Sequence, residues 1–278
     1  MRFTLVSSLV AGLVLVGGLA MARPPVHASS GKKVIVTKEF EIPVTSETVR
    51  EGGSKTLSCP ASFTKSGARF TDPSGAAWTG RAAKDGDRDR LGNDAAVASI
   101  YRLAEPAFGT SVAPTCVATV EGTPYLLAKK VDGASGKTLG DEQLKRFGEG
   151  FVIDAWLGSA EIGAAWQVAL DASGNPVRTD AGGGGLFRAK GDAKGSAFGN
   201  DVPELQTMRD PLKTSSFGYR TLAARDVKDQ LQRFATWYPS HRAEIDAAID
   251  AAPLGAQAAS TLKSKLAARA QWLLAQKK

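Results

Sequence analysis

After an apolar N-terminal run, apolar and polar positions first alternate and then, further along the chain, follow helical spacing. From Val34 to Val44 the even positions are apolar apart from Lys38, and this period of two predicts a half-buried strand. Shorter strand patterns follow, and the first two flank the turn sequence Asp72-Pro73-Ser74-Gly75, which predicts a hairpin. The predicted strands are residues 34–44, 68–71, 76–82, 115–120, 125–131, 168–170 and 177–179.

An amphipathic helix is predicted over residues 90–104, where apolar side chains recur at intervals of three and four. Asp94 falls on the apolar face of this helix. An unpaired charge on a buried face is costly, so Asp94 predicts a basic partner. Arg81 is the first candidate for that partner and Lys84 is the second.

The second half of the chain is rich in helical patterns. Asp141 caps a predicted helix that continues through Trp156, and three apolar stripes near the C-terminus predict further helices. The stripes begin at Val227, Ile245 and Leu262. A strand-rich half followed by a helix-rich half predicts an α+β fold with two lobes. We expect the lobes to span residues 23–132 and 133–278.

The first 22 residues have the features of a secretory signal peptide. Arg2 precedes an apolar run, and Ala20-Met21-Ala22 fits the small-residue pattern of a cleavage site, so the mature chain would begin near Arg23. Cleavage after Ala28 and an uncleaved anchor are the alternatives. The apolar run is short for a membrane span of roughly 20 residues. We therefore expect an exported protein, periplasmic or secreted, with no stable membrane insertion after cleavage.

Export changes the chemistry expected of the two cysteines, Cys59 and Cys116. Exported proteins can oxidise their thiols, so we predict a disulfide between them, with two buried free thiols as the alternative. Two histidines and two cysteines cannot assemble a zinc site at any usual spacing. The formal charge of +7 favours weak contact with anionic surfaces. The basic residues are scattered, however, and we expect no nucleic-acid partner.

An ordered set of motifs occupies about sixty residues of the second half. It comprises Asp154-Ala155-Trp156-Leu157, Asp171 with Gly174-Asn175, Asp180 before the glycine run 182–185, and Met208-Arg209-Asp210-Pro211. The glycine run alone would indicate a flexible loop, but the order of the motifs resembles the C-terminal lobe of bacterial kinase-like domains found in polymorphic toxins and effectors. Those domains are distantly related to HipA-type and phosphatidylinositol kinases. A looser resemblance to the N-terminal lobe rests on Asp72-Pro73, Trp78, Asn93-Asp94 and Tyr101-Arg102-Leu103-Ala104.

The resemblance implies a two-lobed protein-kinase-like fold with a cleft for Mg²⁺ and ATP. Asp180 matches the metal-binding aspartate of the family, and Glu161 stands where the catalytic aspartate would stand. Either Gln167 stands for the asparagine that binds metal and nucleotide, or that asparagine is lost. Arg81 and Asp94 stand for the lysine and glutamate that hold the phosphates, and Lys84 is the alternative to Arg81. Among these five positions, only Asp180 keeps the residue type of the family.

The four departures bear on the activity that the resemblance implies. Each keeps polarity but changes the reach or the charge geometry of the side chain. Phosphoryl transfer depends on positioning, and an error of ~1 Å costs on the order of a hundredfold in rate. We therefore expect a pseudokinase that acts as a binding module for a protein partner. The alternatives are an effector phosphotransferase, which would use Mg²⁺ and ATP to phosphorylate a protein or small-molecule hydroxyl, and a binder of anionic polymers.

Overall fold

The computed structural model describes residues 59–83, 88–133, 139–162, 164, 167–210, 219 and 222–276. All of these residues belong to one unit, Val44–Lys278, and the predicted boundary between residues 132 and 133 lies inside it and stays a prediction. The signal peptide predicted at residues 1–22 and the strand predicted at residues 34–44 lie outside the described residues. Lys84, the second candidate partner of Asp94, also lies outside them.

Five antiparallel strands form a sheet in the first half of the described chain. They are Thr64–Ser66 (β1), Arg69–Thr71 (β2), Ala77–Ala82 (β3), Thr115–Val120 (β4) and Thr123–Lys129 (β5). Their spatial order is β1-β2-β3-β5-β4. Asp72 fixes the turn between β2 and β3, because its carboxylate accepts hydrogen bonds from the Ser74 hydroxyl at 2.6 Å and from Trp78 Nε1 at 2.9 Å. These two bonds lower the pKa of Asp72 to about 2.

One face of this sheet carries a small apolar core of its own. Phe70, Trp78 and Leu127 are among the buried side chains that form it, and Cys116 packs against them. The predicted disulfide is confirmed: Cys59 is bonded to Cys116, with their Cα atoms 5.5 Å apart. The bond therefore ties the chain ahead of β1 to β4, at one end of the strand order.

Helices make up most of the remaining described chain. They are Arg88–Phe108 (α1), Asp141–Gly148 (α2), Phe151–Trp156 (α3), Glu204–Thr207 (α4), Ala224–Ala251 (α5) and Ala256–Gln276 (α6). A two-stranded ladder of Val168–Leu170 (β6) and Pro176–Arg178 (β7) separates α3 from α4. Within the described residues the architecture is thus mixed α+β. Among these helices, none is long and apolar enough to cross a membrane.

The main core lies among the helices. It contains buried side chains of α1, α3, α5 and α6, including Val97, Trp156, Phe234 and Leu266. The stripes that begin at Val227 and Ile245 both lie on α5, and the third lies on α6. Ala181, three residues after β7, also belongs to this core.

The single helix predicted over residues 141–156 is wrong, because the chain forms α2 and α3 with a break at Glu149 and Gly150. Arg178 approaches the backbone at this break. Its Nη2 donates a hydrogen bond to Phe147 O at 3.4 Å, and a Cβ on Gly150 would lie only 2.5 Å from the same Nη2 atom. A side chain inserted at the hydrogen-bond ladder is a recognised cause of helix interruption.

Candidate functional site

A cleft of about 460 Å³ is lined by residues from the sheet and by the segment after β7. Residues 79–81 of β3, together with Leu126 and Ala128 of β5, form its sheet wall. The segment 129–131 and the pair Thr179-Asp180 complete it. A depression of about 560 Å³ elsewhere is an open groove, and the described residues that line it are four residues of α5. The cleft therefore provides the better candidate site.

Arg81 and Asp94 form an ion pair at the cleft, and the prediction that Arg81 is the partner of Asp94 is confirmed. Arg81 Nη2 donates to Asp94 Oδ2, while Asn93 Nδ2 donates to Asp94 Oδ1 at 3.0 Å. The Asp94 side chain is 2% exposed and the Arg81 side chain is 30% exposed. Burial raises the pKa of Asp94, Arg81 opposes that rise and the nearby Asp180 carboxylate adds to it.

We expect Asp94→Asn to lower the free energy of unfolding by ~2 kcal/mol, because a charge-assisted hydrogen bond from Arg81 is lost. The partial exposure of Arg81 lets water replace part of that bond and keeps the effect moderate. Urea denaturation of the variant measures the change. Asp132→Asn is the matched control, since Asp132 is exposed. Equal effects of the two substitutions would show that Asp94 is solvated and that the resemblance misplaces it.

Asp180 lines the cleft and is partly exposed. Its Oδ1 accepts a hydrogen bond from the Gly182 backbone N–H at 2.7 Å. The electrostatic effect of Asp180 on Asp94 places the two carboxyl groups in one neighbourhood. The structure thus brings Arg81 and Asp94 close to Asp180, which is far from both of them in the sequence.

A backbone hydrogen bond holds Gln167 close to this group. Its carbonyl oxygen accepts the Thr179 N–H at 2.8 Å, one residue before Asp180. The residue is 4% exposed, and its side-chain Oε1 is buried without a hydrogen-bond partner. Gln167 is not among the described residues that line the cleft. The unpartnered amide oxygen of Gln167, a residue whose backbone is bonded to the neighbour of Asp180, is the one feature that suits the metal role implied by the resemblance.

Glu161 differs from the other four candidates. It follows α3, is exposed, and is not among the described residues that line the cleft. Its backbone carbonyl accepts the Ala164 N–H at 3.0 Å, which fixes a local turn. Its assignment as the catalytic base therefore stays a prediction.

The glycine run after Asp180 is buried and closely packed. A Cβ on Gly184 would lie 2.7 Å from Ser159 Oγ and 2.8 Å from Val97 Cγ1. Gly185 has φ +65°, and a Cβ there would lie 2.4 Å from Asn93 Oδ1. Glycine is required here because the backbone passes directly against α1. The interpretation of the run as a flexible loop is wrong.

Two residues without a role predicted from the sequence, Asn93 and Lys194, hold this run in place. Asn93 Nδ2 donates to Gly184 O at 2.8 Å, and Asn93 Oδ1 accepts the Leu186 N–H at 2.9 Å. Lys194 Nζ donates to Gly158 O at 2.8 Å and to Gly183 O at 2.6 Å. Burial lowers the pKa of Lys194 to about 7, against the opposing effect of the nearby Glu204. Both side chains position the backbone that follows Asp180.

Comparison with protein-family models, with curated proteins and with solved structures found no match for this chain. Within the described residues, no three His, Cys, Asp or Glu side chains are grouped so that they could hold a metal ion. The features of the molecule that bear on function are therefore the cleft, its charges and the ion pair between Arg81 and Asp94.

Proposed function

We propose that this chain is an exported protein with a kinase-like fold, whose degenerate phosphotransfer cleft is a binding site and does not transfer phosphate. The observation that carries this proposal is that Arg81 and Asp180 line one cleft beside an antiparallel sheet, while the buried Asp94 pairs with Arg81. The resemblance expects this arrangement of a cationic residue, its acidic partner and the metal-loop aspartate. Its partner in the binding role would be a protein or a ligand that occupies the cleft.

Loss of transfer is supported by the donor set of the cleft. Asp180 is the only carboxylate among the described lining residues, and Arg81, Lys129 and Lys130 line the same cleft. Kinase sites use two metal ions and a carboxylate base close to the transferred group. Glu161, which would be that base, does not line the described cleft. This donor set does not fit the two-metal arrangement.

An active phosphotransferase is the second candidate, and the orphaned Oε1 of Gln167 favours it. In that case Asp180 and Gln167 would hold Mg²⁺, whose preferred ligands are oxygen atoms. Bound Mg²⁺ would neutralise phosphate charge. Arg81, kept in place by Asp94, would orient the phosphates, and Glu161 would accept the proton of the substrate hydroxyl.

The two candidates differ in their response to Mg²⁺ and ATP. We expect no γ-phosphate transfer above the level of the Asp180→Asn variant, and no rise in Tm that requires both Mg²⁺ and Asp180. Radiolabelled ATP with generic protein acceptors measures transfer, including self-phosphorylation, and thermal unfolding measures binding. The mature chain from Arg23 is the sample.

The rise in Tm expected if Mg²⁺ and ATP bind can be stated. A ligand at about one hundred times its Kd stabilises a protein by ~2.7 kcal/mol, which corresponds to several degrees in Tm. A shift of that size with Mg²⁺ and ATP that disappears in Asp180→Asn would contradict the pseudokinase proposal. Transfer that disappears in both Asp180→Asn and Glu161→Gln would establish the phosphotransferase instead.

A further inference from the structure

We infer that Lys194 is a pH-dependent clamp on the segment that follows Asp180. Its uncharged amine holds the glycine run 182–185 against the chain that leaves α3, and protonation of the amine releases the run. The clamp does not depend on which ligand occupies the cleft. Three features of Lys194 support it: its hydrogen bonds, the charges around it and its partial exposure to water.

The amino group of Lys194 joins two segments that are distant in the sequence. Nζ donates to Gly183 O in the glycine run at 2.6 Å, and to Gly158 O, two residues after α3, at 2.8 Å. The Lys194 backbone N–H donates to Leu186 O at 2.8 Å, so the lysine is itself fixed beside the run. Because Gly183 lies three residues after Asp180, this one side chain sets the path of the backbone that leaves the cleft.

These contacts suit an uncharged amine better than an ammonium group. A neutral amine has two N–H donors, and the two carbonyl groups accept both of them. An ammonium group has a third N–H donor, which no oxygen atom of another described residue accepts. The ring of Phe198, with its centroid 5.2 Å from Nζ, offers a cation–π contact, which does not replace the hydration that an ammonium group loses on burial.

The charged groups around Lys194 leave its ammonium form without a free counter-ion. They are Glu204 of α4, Arg269 of α6, Arg188 of the same segment and Asp94 of α1. Glu204 Oε2 already accepts a hydrogen bond from Arg269 Nη2 at 2.8 Å. Asp94 is already paired with Arg81. Burial therefore outweighs the attraction of Glu204 and lowers the pKa of Lys194 from 10.5 to about 7.

The direction of the pH dependence follows from the two positions of the amine. Lys194 is partly exposed, so its ammonium form can turn from the clamp into water, where its pKa returns to 10.5. From about pH 7 to pH 10.5 the released lysine is protonated and the clamped lysine is not, so the clamp strengthens as pH rises. Below about pH 7 both forms are protonated, and the clamp no longer changes with pH. The segment after Asp180 is accordingly held less firmly at neutral pH than in mild alkali.

The experiment compares the unmodified mature chain with Lys194→Met, whose side chain is of similar length and carries no charge, by urea denaturation. The folding equilibrium constant of the unmodified chain, relative to that of the variant, should rise by about tenfold per pH unit between about pH 7.5 and about pH 9.5, because folding releases one proton. Lys190→Met is the matched control: Lys190 is exposed in the same segment, and the ratio should stay constant. A constant ratio for Lys194→Met, or the same rise for Lys190→Met, would overturn the clamp.

An NMR titration of the unmodified chain measures the release itself and does not require a variant to fold. The Gly185 N–H donates to Leu157 O at 2.7 Å and reports on the position of the glycine run. As pH falls, its proton resonance should move to lower chemical shift together with protonation of the Lys194 amine, with a midpoint between about pH 7 and pH 10.5. A stationary Gly185 resonance while the amine titrates would show that the charge changes in place and would overturn the release. An amine that titrates at its usual pKa of 10.5 would overturn the clamp.

Discussion

Replacing Asp154 with asparagine is expected to lower the free energy of unfolding by ~3–5 kcal/mol, the usual cost of breaking a buried ion pair. Asp154 and Arg178 are both 0% exposed. Arg178 donates to the Asp154 carboxylate from Nε at 3.0 Å and from Nη2 at 2.5 Å, and the Tyr219 hydroxyl donates to the same carboxylate. The substitution would leave a guanidinium without its counter-charge in the core.

Urea denaturation of Asp154→Asn measures this loss, and Glu142→Gln is its control. Glu142 and Arg146 form an ion pair on α2 with side chains that are 70% and 49% exposed. Removing an exposed pair changes stability by less than about 1 kcal/mol. The double variant Asp154→Leu/Arg178→Met should regain part of the stability lost in Asp154→Asn, because no buried charge remains. Similar stabilities of Asp154→Asn and the control would refute the buried pair.

The ion pair between Asp154 and Arg178 also helps to position the candidate site. Arg178 ends β7, two residues before Asp180, and Asp154 lies on α3. The ion pair therefore anchors the strand that delivers Asp180 to the cleft. On the sheet side, the ion pair of Arg81 and Asp94 joins β3 to α1, but its cation, Arg81, is partly exposed. We accordingly expect Asp154→Asn to destabilise the protein more than Asp94→Asn does.

Most of the described strands and α1 could be predicted from the sequence because their patterns are local, although β1 was not predicted. The prediction of residues 115–120 matches β4, and residues 90–104 fall inside α1. The break between α2 and α3 depends instead on groups far away in the chain. Gln230 of α5 donates to Gly148 O at 2.9 Å and accepts the Val152 N–H at 3.1 Å. No local pattern near residue 149 indicates those partners.

Some residues of the candidate site could likewise be predicted from the sequence, and others could not. The partner of Asp94 could be predicted, because a carboxylate on an apolar helix face needs a cation and Arg81 is near in the sequence. The roles of Asn93 and Lys194 could not be predicted, because both bind backbone carbonyl groups of the folded glycine run. Backbone acceptors leave no signature in residue type. Only the close packing of that run against α1 identifies them.

Removal of the Cys59–Cys116 bond is expected to lower the free energy of unfolding by ~4 kcal/mol, because the open chain regains the entropy of a long loop. The two cysteines are 57 residues apart, and Cys116 packs against the small apolar core of the sheet. That core is separate from the main core among the helices. The loss should therefore be concentrated in the sheet.

The double variant Cys59→Ser/Cys116→Ser tests this expectation by thermal unfolding with and without reductant. The unmodified protein should lose stability on reduction, and the double variant, already destabilised, should not respond. Hydrogen exchange should quicken in β3 and β5 more than in α5 and α6. Labelling of both cysteines by alkylation of the unreduced, unfolded protein would refute the bond, and uniform acceleration of exchange would refute its restriction to the sheet.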